Sequence, residues 1–281
     1  MGLRIATNIS ALNSQRHMVN TRKLLDRSLE RLSSGYRINK AGDDAAGLAI
    51  SEKLRAKTRG LVQAQRNASD GISLIQVAEG GLEEVQNILV RLRELGVQAA
   101  SDTIGPQERK YLNEEYQALK EEVDRIANVT EFNGTVLLDG TGGSLDIQVN
   151  TGGQNLLGVD RISFDAFRAD VNTDKLGLEE LSVDTKVNAQ RSLTILDNAI
   201  EHVSSVRGEL GAIDNRLSST IRNLSVSIEN LSAANSRIKD VDIAEETSEL
   251  TKNNILMQAG TSVLQQANSV PKMALSLLQG N

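Results

Sequence analysis

The sequence predicts a mainly α protein: a long antiparallel helical, coiled-coil rod with paired terminal helices and a small β-hairpin region near the middle of the chain. Three observations carry this. Aromatic residues make up 2% of 281 residues, so Leu, Ile, Val and Ala must pack almost without the large rings that dominate most cores. The chain has two prolines, Pro106 and Pro271, which leaves long helices free to run. Over most of its length apolar residues recur at steps of three and four, the period of one helix face.

The first helix is expected from about Asn8 to Leu32. Ile5, Ile9, Leu12 and Val19 keep a heptad spacing, and Leu25, Leu29 and Leu32 resume it after a skip. Ser33-Ser34-Gly35 ends it, because glycine takes the left-handed position after a helix without strain. Residues 35–44 form a connector whose Asp43 or Asp44 can cap the next helix. That helix runs from Ala45 to Ala99, about 80 Å at 1.5 Å per residue. Its stripe reads Leu61, Ala68, Ile72, Ile75, Ala78, Leu82, Val85, Leu89, Leu92, Ala99. Gly71, Gly80 and Gly81 weaken it by about 1 kcal/mol each against Ala, so packing must hold it. A break at Ser101–Pro106 leads to a third helix with Leu112, Tyr116, Leu119, Val123 and Ile126 on one face.

Residues 130–178 differ in kind. Asn133-Gly134 and Gly140–Gly143 are turn signals, and Thr135–Leu138 and Ser144–Val149 are expected to form a hairpin. Helical period returns at Val183 and persists for roughly 50 residues, through Leu193, Leu196, Ile200, Val203, Leu210, Ile213, Leu217, Ile221, Leu224, Ile228, Leu231 and Ile238. A polar link, Lys239–Asp242, leads to the last helix.

That helix has an unusual composition. Asn253–Asn281 carries one charge, Lys272, although chain ends are normally polar and charged. Leu256, Gly260, Val263, Ala267, Val270, Ala274 and Leu277 form one stripe, and Leu250, Met257, Leu264 and Leu278 a second row beside it. A helix apolar around most of its circumference is buried. Gln258, Gln265, Gln266 and Asn268 interrupt it too often for a membrane span. Its destination is other protein, and other chains. The expected parts are 1–44, terminal helix and connector; 45–134, inner helices; 135–180, strand and loop; 181–238, returning helix; and 239–281, terminal helix.

Several chemistries find no support. The chain lacks cysteine, which excludes disulfides and thiolate sites and suits a protein that leaves its cell unfolded. The N-terminus has no apolar core of a secretory signal peptide, and Ala6 breaks a myristoylation pattern. His17 and His202 have no second ligand at metal spacing, Gly140–Gly143 lacks the lysine of a phosphate loop, and Asp43-Asp44 reads as a helix cap. No catalytic, cofactor or metal residues are expected. Residues 1–60 hold twelve Lys and Arg against five Asp and Glu, but they alternate with apolar positions as on a solvated helix face and carry no nucleic-acid motif.

Leu32–Ile50, LSSGYRINKAGDDAAGLAI, resembles bacterial flagellin. So do Arg66–Ser73, Glu79-Gly80, Arg91–Leu95, Glu131–Gly134, Ser236–Asp242 and the tail from Gln265 to Leu278, a likeness over roughly 1–140 and 185–281. The resemblance implies a structural subunit of the extracellular flagellar filament, a helical homopolymer for swimming, exported unfolded by the flagellar type III system. Terminal helices would form the innermost tube, the long helices a surrounding layer, and the short middle would face outward. Expected partners are copies of itself, the filament cap, hook-junction proteins and an export chaperone, with no nucleic acid and no membrane. Alternatives are a hook–filament junction protein or a coiled-coil scaffold or adhesin. The expected polymer interface is Ile5, Ile9, Leu12, Val19, Leu256, Val263, Leu264, Val270, Leu277 and Leu278. The resemblance also implies contact with a host Toll-like receptor through Arg91, Leu95 and Glu115, with Val90 where such flagellins usually have Gln. The residues alone allow a blander reading, in which Arg91 and Glu115 pair within the subunit and Leu95 is core.

Overall fold

The computed structural model describes residues 7–152 and 160–279, with the side chains of Pro271 and of 274–279 outside the description. Five helices and four short strands follow one another as α1 (Ile9–Ser34), α2 (Ala45–Ala100), α3 (Pro106–Val129), β1 (Glu131–Phe132), β2 (Thr135–Val136), β3 (Ser144–Gln148), β4 (Arg161–Asp165), α4 (Lys186–Lys239) and α5 (Ile243–Gln279). The chain forms two compact units. Unit 1 gathers the two ends, residues 1–56 and 230–281, and unit 2 holds 57–229.

Unit 2 is built on the stripe visible in the sequence. Ala68, Ile75, Ala78, Leu82, Val85, Leu89, Leu92 and Ala99 on α2 are all fully buried. Facing them on α4 is the row Ala189, Ser192, Leu196, Ala199, Val203, Val206, Leu210 and Leu217, again at steps of three and four until its last step. The two helices run antiparallel within this unit: Arg93 meets Asp197 at 2.6 Å, and Gln65 donates to the Ser225 hydroxyl at 3.2 Å. Each large aliphatic fully buried here contributes about 1.5–3 kcal/mol.

α3 packs back on α2. Pro106 starts it in the first-turn position that needs no N–H, and Arg109 donates to the Ala99 and Ser101 carbonyls. Tyr116, Val123 and Ala127 are its buried row, and burial pushes the Tyr116 phenol up to about 12. Lys120 in that same buried row, with half-buried Asn113, Gln117 and Asp124 beside it, fastens the segment before α4. Lys120 donates to the Glu179 and Leu181 carbonyls at 2.7 and 3.1 Å and to the Gln117 side chain at 3.0 Å. Its desolvation, which lowers its pKa, is offset by these three acceptors. The Asp124 carboxylate accepts from both the N–H and the hydroxyl of Thr173, and Asn113 accepts from the Val183 N–H.

The strand region stands where expected, but its pairing differs. Thr135-Val136 pairs backward with Glu131-Phe132, not forward with Ser144–Val149. Asn133 and Gly134 both take positive φ, 51° and 78°, so a two-residue turn closes immediately and consumes β2. β3 instead pairs antiparallel with β4, across the segment 149–160. Ile147, Ile162 and Phe164 of that second hairpin are buried. Two helix glycines serve these hairpins. A Cβ on Gly71 would lie 2.6 Å from Ile147 Cδ1, and one on Gly81 would lie 2.7 Å from Thr130 Oγ1 and 2.8 Å from Leu138 Cδ1. The intrinsic cost of glycine in a helix is thus exchanged for close approach of β-region side chains.

Candidate polymer interface

Unit 1 begins with a capped helix. The Asn8 side chain accepts from the Ala11 N–H, and Gly35 ends α1 at φ 75°, its N–H returning to the Arg31 carbonyl. The connector then folds around one carboxylate. Asp43 accepts from the Asn39 and Lys40 N–H groups at 3.2 and 3.1 Å and from Arg27 at 2.8 Å. The Lys40 N–H bond, followed by those to Asn39 and Arg27, holds the Asp43 carboxyl below its ordinary value against the opposing desolvation. Asp44, next along, accepts from the Gly47 N–H and caps α2. Tyr36 bridges Asp240 in antiparallel fashion, flanked by Arg37 N–H to Lys239 carbonyl at 2.7 Å and Val241 N–H to Gly35 carbonyl at 3.0 Å. The Lys239 ammonium lies 5.0 Å above the Tyr36 ring and 3.2 Å from Glu52.

α1 and α5 pack antiparallel. Asn8 Nδ2 donates to the Ala267 carbonyl at one end, and Arg31 pairs with Glu246 at 3.3 Å at the other. Between them Met18 presses on Gly260, where a Cβ would come within 3.0 Å of Met18 Cγ. The facing row of α1 is Ala11, Ser14, Met18, Thr21, Leu25 and Ser28, which are buried or half-buried. On α5 the inward row is Leu250, Asn253, Met257, Gly260, Leu264 and Ala267. The seam inside the pair is therefore mixed: Met18, Leu25, Leu250, Met257 and Leu264 alternate with small or polar residues.

A second set of large apolar residues points the other way. Ile9 is 62% exposed, and Leu12, Val19, Leu256, Val263 and Val270 are exposed with it. Ile255, Ile243 and Met273 add to this surface, none of them singled out by the heptad reading. Only Ile38 among the described hydrophobic residues of unit 1 is buried. Leu264 is half-buried in the seam against α1. Ile5 lies outside the described residues, as do the side chains of Leu277 and Leu278.

The three residues of the expected receptor contact are brought to one place and divided. Arg91 donates to Glu115 at 2.8 and 3.0 Å and to Glu94 at 3.0 Å, all exposed. Hydrogen bonding, first to Glu115 and then to Glu94, raises the Arg91 pKa further. Leu95 is fully buried in the core of unit 2 and shares no open face with them. Its place in the step of three from Leu92 and four to Ala99 is the signal for this.

Among the described residues no helix is long and apolar enough to cross a membrane, and no three His, Cys, Asp or Glu gather for a metal. A helical chain with one well-packed unit and one that turns its apolar side chains outward is a self-associating structural protein. Comparison with known proteins gives the same class a family. The bacterial flagellin N-terminal helical region matches residues 5–142, and the bacterial flagellin C-terminal helical region matches 193–278. A flagellin of Halalkalibacterium halodurans is 46% identical over 272 residues, covering 97% of this chain and 98% of the relative. A flagellin of Bacillus subtilis is 45% identical, covering 99% and 100%. The crystal structure of Bacillus cereus flagellin is similar at a TM-score of 0.50 and 31% identity, over 60% of this chain and 94% of that one. The chain belongs to the bacterial flagellin family. It is a structural subunit of the extracellular flagellar filament, a self-polymer, and not an enzyme.

Proposed function

We propose that subunits join through the outward apolar faces of α1 and α5, with Ile9, Leu12, Val19, Leu256, Val263 and Val270 packed against neighbouring copies. The observation that carries this is their exposure in the single chain, on helices that already meet each other along a different row. Heptad spacing extends the same faces to Ile5 and Leu277, while Leu278 continues the row of Leu264, which belongs to the seam within the subunit. In this reading 1–44 and 239–281 form the innermost layer, 45–134 and 181–238 the layer around it, and 135–180 the outward face. An open, heterologous contact repeated along a helix covers such faces without closing into a ring. The same exposed faces call for an export chaperone before assembly through the type III route, and for the cap and hook-junction proteins at the filament ends.

Removing Gln265–Asn281 tests the interface. The truncated chain should keep the circular dichroism of unit 2 and form no seeded filaments by electron microscopy. Filaments of ordinary length would overturn the assignment.

Recognition by a host Toll-like receptor rests on Arg91 and Glu115 alone, since Leu95 is core. In that reading Arg91→Ala monomer loses signalling in reporter cells while its helical content is unchanged. An undiminished response removes the site.

A further inference from the structure

A groove of about 400 Å³ opens on unit 2 between α4 and the turn that follows β4. Its floor is apolar. Phe164, Ala169, Val206 and Leu210 are buried there, with Ile213 half-buried beside them. Its rim is charged. Arg168 of the turn meets Glu209 of α4 at 3.6 Å. The two other rim charges, Asp165 and Arg216, have opposite signs, and neither forms an ion pair among the described residues. Asp165 accepts only from the Phe167 N–H, at 3.1 Å.

The same turn carries an aromatic ring into water. Backbone bonds from Arg168 to Asp165 and from Ala169 to Ala166 close it, each at 3.2 Å. Between them Phe167 is 63% exposed, although Phe164 three residues earlier is buried. The ring is steadied on the surface, because the Lys175 ammonium stands 5.5 Å from its centroid. A phenyl ring has more apolar area to remove from water than any other side chain on this turn. A projecting ring and an apolar groove thus lie side by side on one surface.

We propose that this groove receives Phe167 of a second copy of the chain, whose own groove receives Phe167 in return. A ring and a groove next to each other are self-complementary about a two-fold axis. The rim charges suit the same pairing. Asp165 of each copy meets Arg216 of the other, so both unmatched charges gain a partner and the contact is neutral. The proposal rests on the polymer reading, in which 135–180 faces outward. Subunits of one filament follow a helical operator and are not related by two-folds, so the contact joins copies in two filaments lying side by side. A single contact is small, but repetition along both filaments raises the effective concentration of each next pair.

Full-length chains polymerised from seeds test this, with side-by-side association of filaments read by light scattering and electron microscopy. Unaltered filaments should associate. Phe167→Ser should weaken that association about a hundredfold, since each contact loses two buried rings, while Phe167→Leu keeps most of it. Arg216→Glu should weaken it about tenfold by opposing like charges, and Arg216→Gln should make it less sensitive to added salt. The critical concentration for assembly should stay within about threefold of the unaltered protein in all four variants. Unaltered filaments that stay apart, undiminished association in Phe167→Ser or Arg216→Glu, or an unchanged salt response in Arg216→Gln overturns the pairing. Loss of assembly in these variants overturns it too, because the groove would then lie inside the filament. The polymer reading fails by a different result, filaments from the chain lacking Gln265–Asn281, so the two failures are told apart.

Discussion

Units 1 and 2 are made from the same four aliphatic residue types at the same helical period, and they use them in opposite ways. In unit 2 the apolar row of α2 meets that of α4, and the pair is dry. In unit 1, α1 and α5 meet through a mixed row in which Met18, Leu25, Met257 and Leu264 alternate with Ser14, Thr21, Asn253 and Gly260, and hold Ile9, Leu12, Val263 and Val270 to the outside. A periodic apolar stripe thus specifies a buried face without specifying whose chain buries it. In unit 2 the partner is intramolecular, and stability belongs to the subunit. Under the proposed interface, the partner in unit 1 is another copy, so that stability would belong to the assembly and depend on protein concentration.

This contrast can be broken most sharply with one carboxylate placed in each unit. Leu82→Asp puts an unpaired charge in the core of unit 2, and more than about 4 kcal/mol of monomer stability should be lost. Leu256→Asp places the same charge on the outer face of α5. Melting of the monomer should move by less than about 0.5 kcal/mol while filaments disappear. A Leu256→Asp variant that melts like Leu82→Asp would mean that unit 1 closes on itself in the free subunit.

Truncation in the two rows gives a smaller difference of the same form. Leu217→Ala should cost about 2–5 kcal/mol in thermal unfolding of the monomer, through lost contacts and the cavity left behind. Val263→Ala should leave that transition unchanged and raise the critical concentration for assembly. An equal cost in both assays would dissolve the distinction between units.

Two neighbouring glycines sharpen what packing means in unit 2. Nothing lies within 4 Å of a Cβ on Gly80, so Gly80→Ala should stabilise by up to about 1 kcal/mol. Gly81→Ala forces Thr130 and Leu138 aside and should destabilise by about 1 kcal/mol or more despite the better helix former. Chemical denaturation measures both, and the same sign for both would show that the hairpin is not held against α2.

The smallest effect is acid sensitivity in the connector. The Asp43 pKa is lowered in the folded chain, so its stabilisation is present above the ordinary carboxylate value and is lost as pH falls through the lowered one. Asp43→Asn should flatten the loss of hydrogen-exchange protection in residues 35–44 of the filament below about pH 4. Identical acid profiles would assign that loss to other carboxylates.

Much of this architecture was legible in the sequence. The α2 and α4 stripes are read correctly because large aliphatics point inward there, as the period assumes. On α1 the row expected to meet other copies, Ile9, Leu12 and Val19, lies exposed, while Ala11, Ser14, Thr21 and Ser28, which join Met18 and Leu25 in facing α5, are too small or polar for a search for hydrophobic rows to find. Leu264 shows the complement, since its row of sevens was visible but its role as seam was not. The β3–β4 pairing was hidden because Arg161–Asp165 carries only two apolar residues, Ile162 and Phe164, and stands a loop away from its partner. Asp44 rather than Asp43 caps α2, a choice between adjacent carboxylates that only backbone geometry makes.

Unit 1 joins residues 1–56 to 230–281, with the whole of unit 2 between them in sequence. No part of that pairing can form from an incomplete chain. Contacts so distant in sequence are slow to find unless something shortens the search. The Gln65–Ser225 hydrogen bond within unit 2 ties together positions 160 residues apart, so once α2 and α4 have met, the loop that pairing α1 with α5 must close is far shorter. A change that separates α2 from α4 should therefore slow the pairing of the chain ends as well as destabilise unit 2.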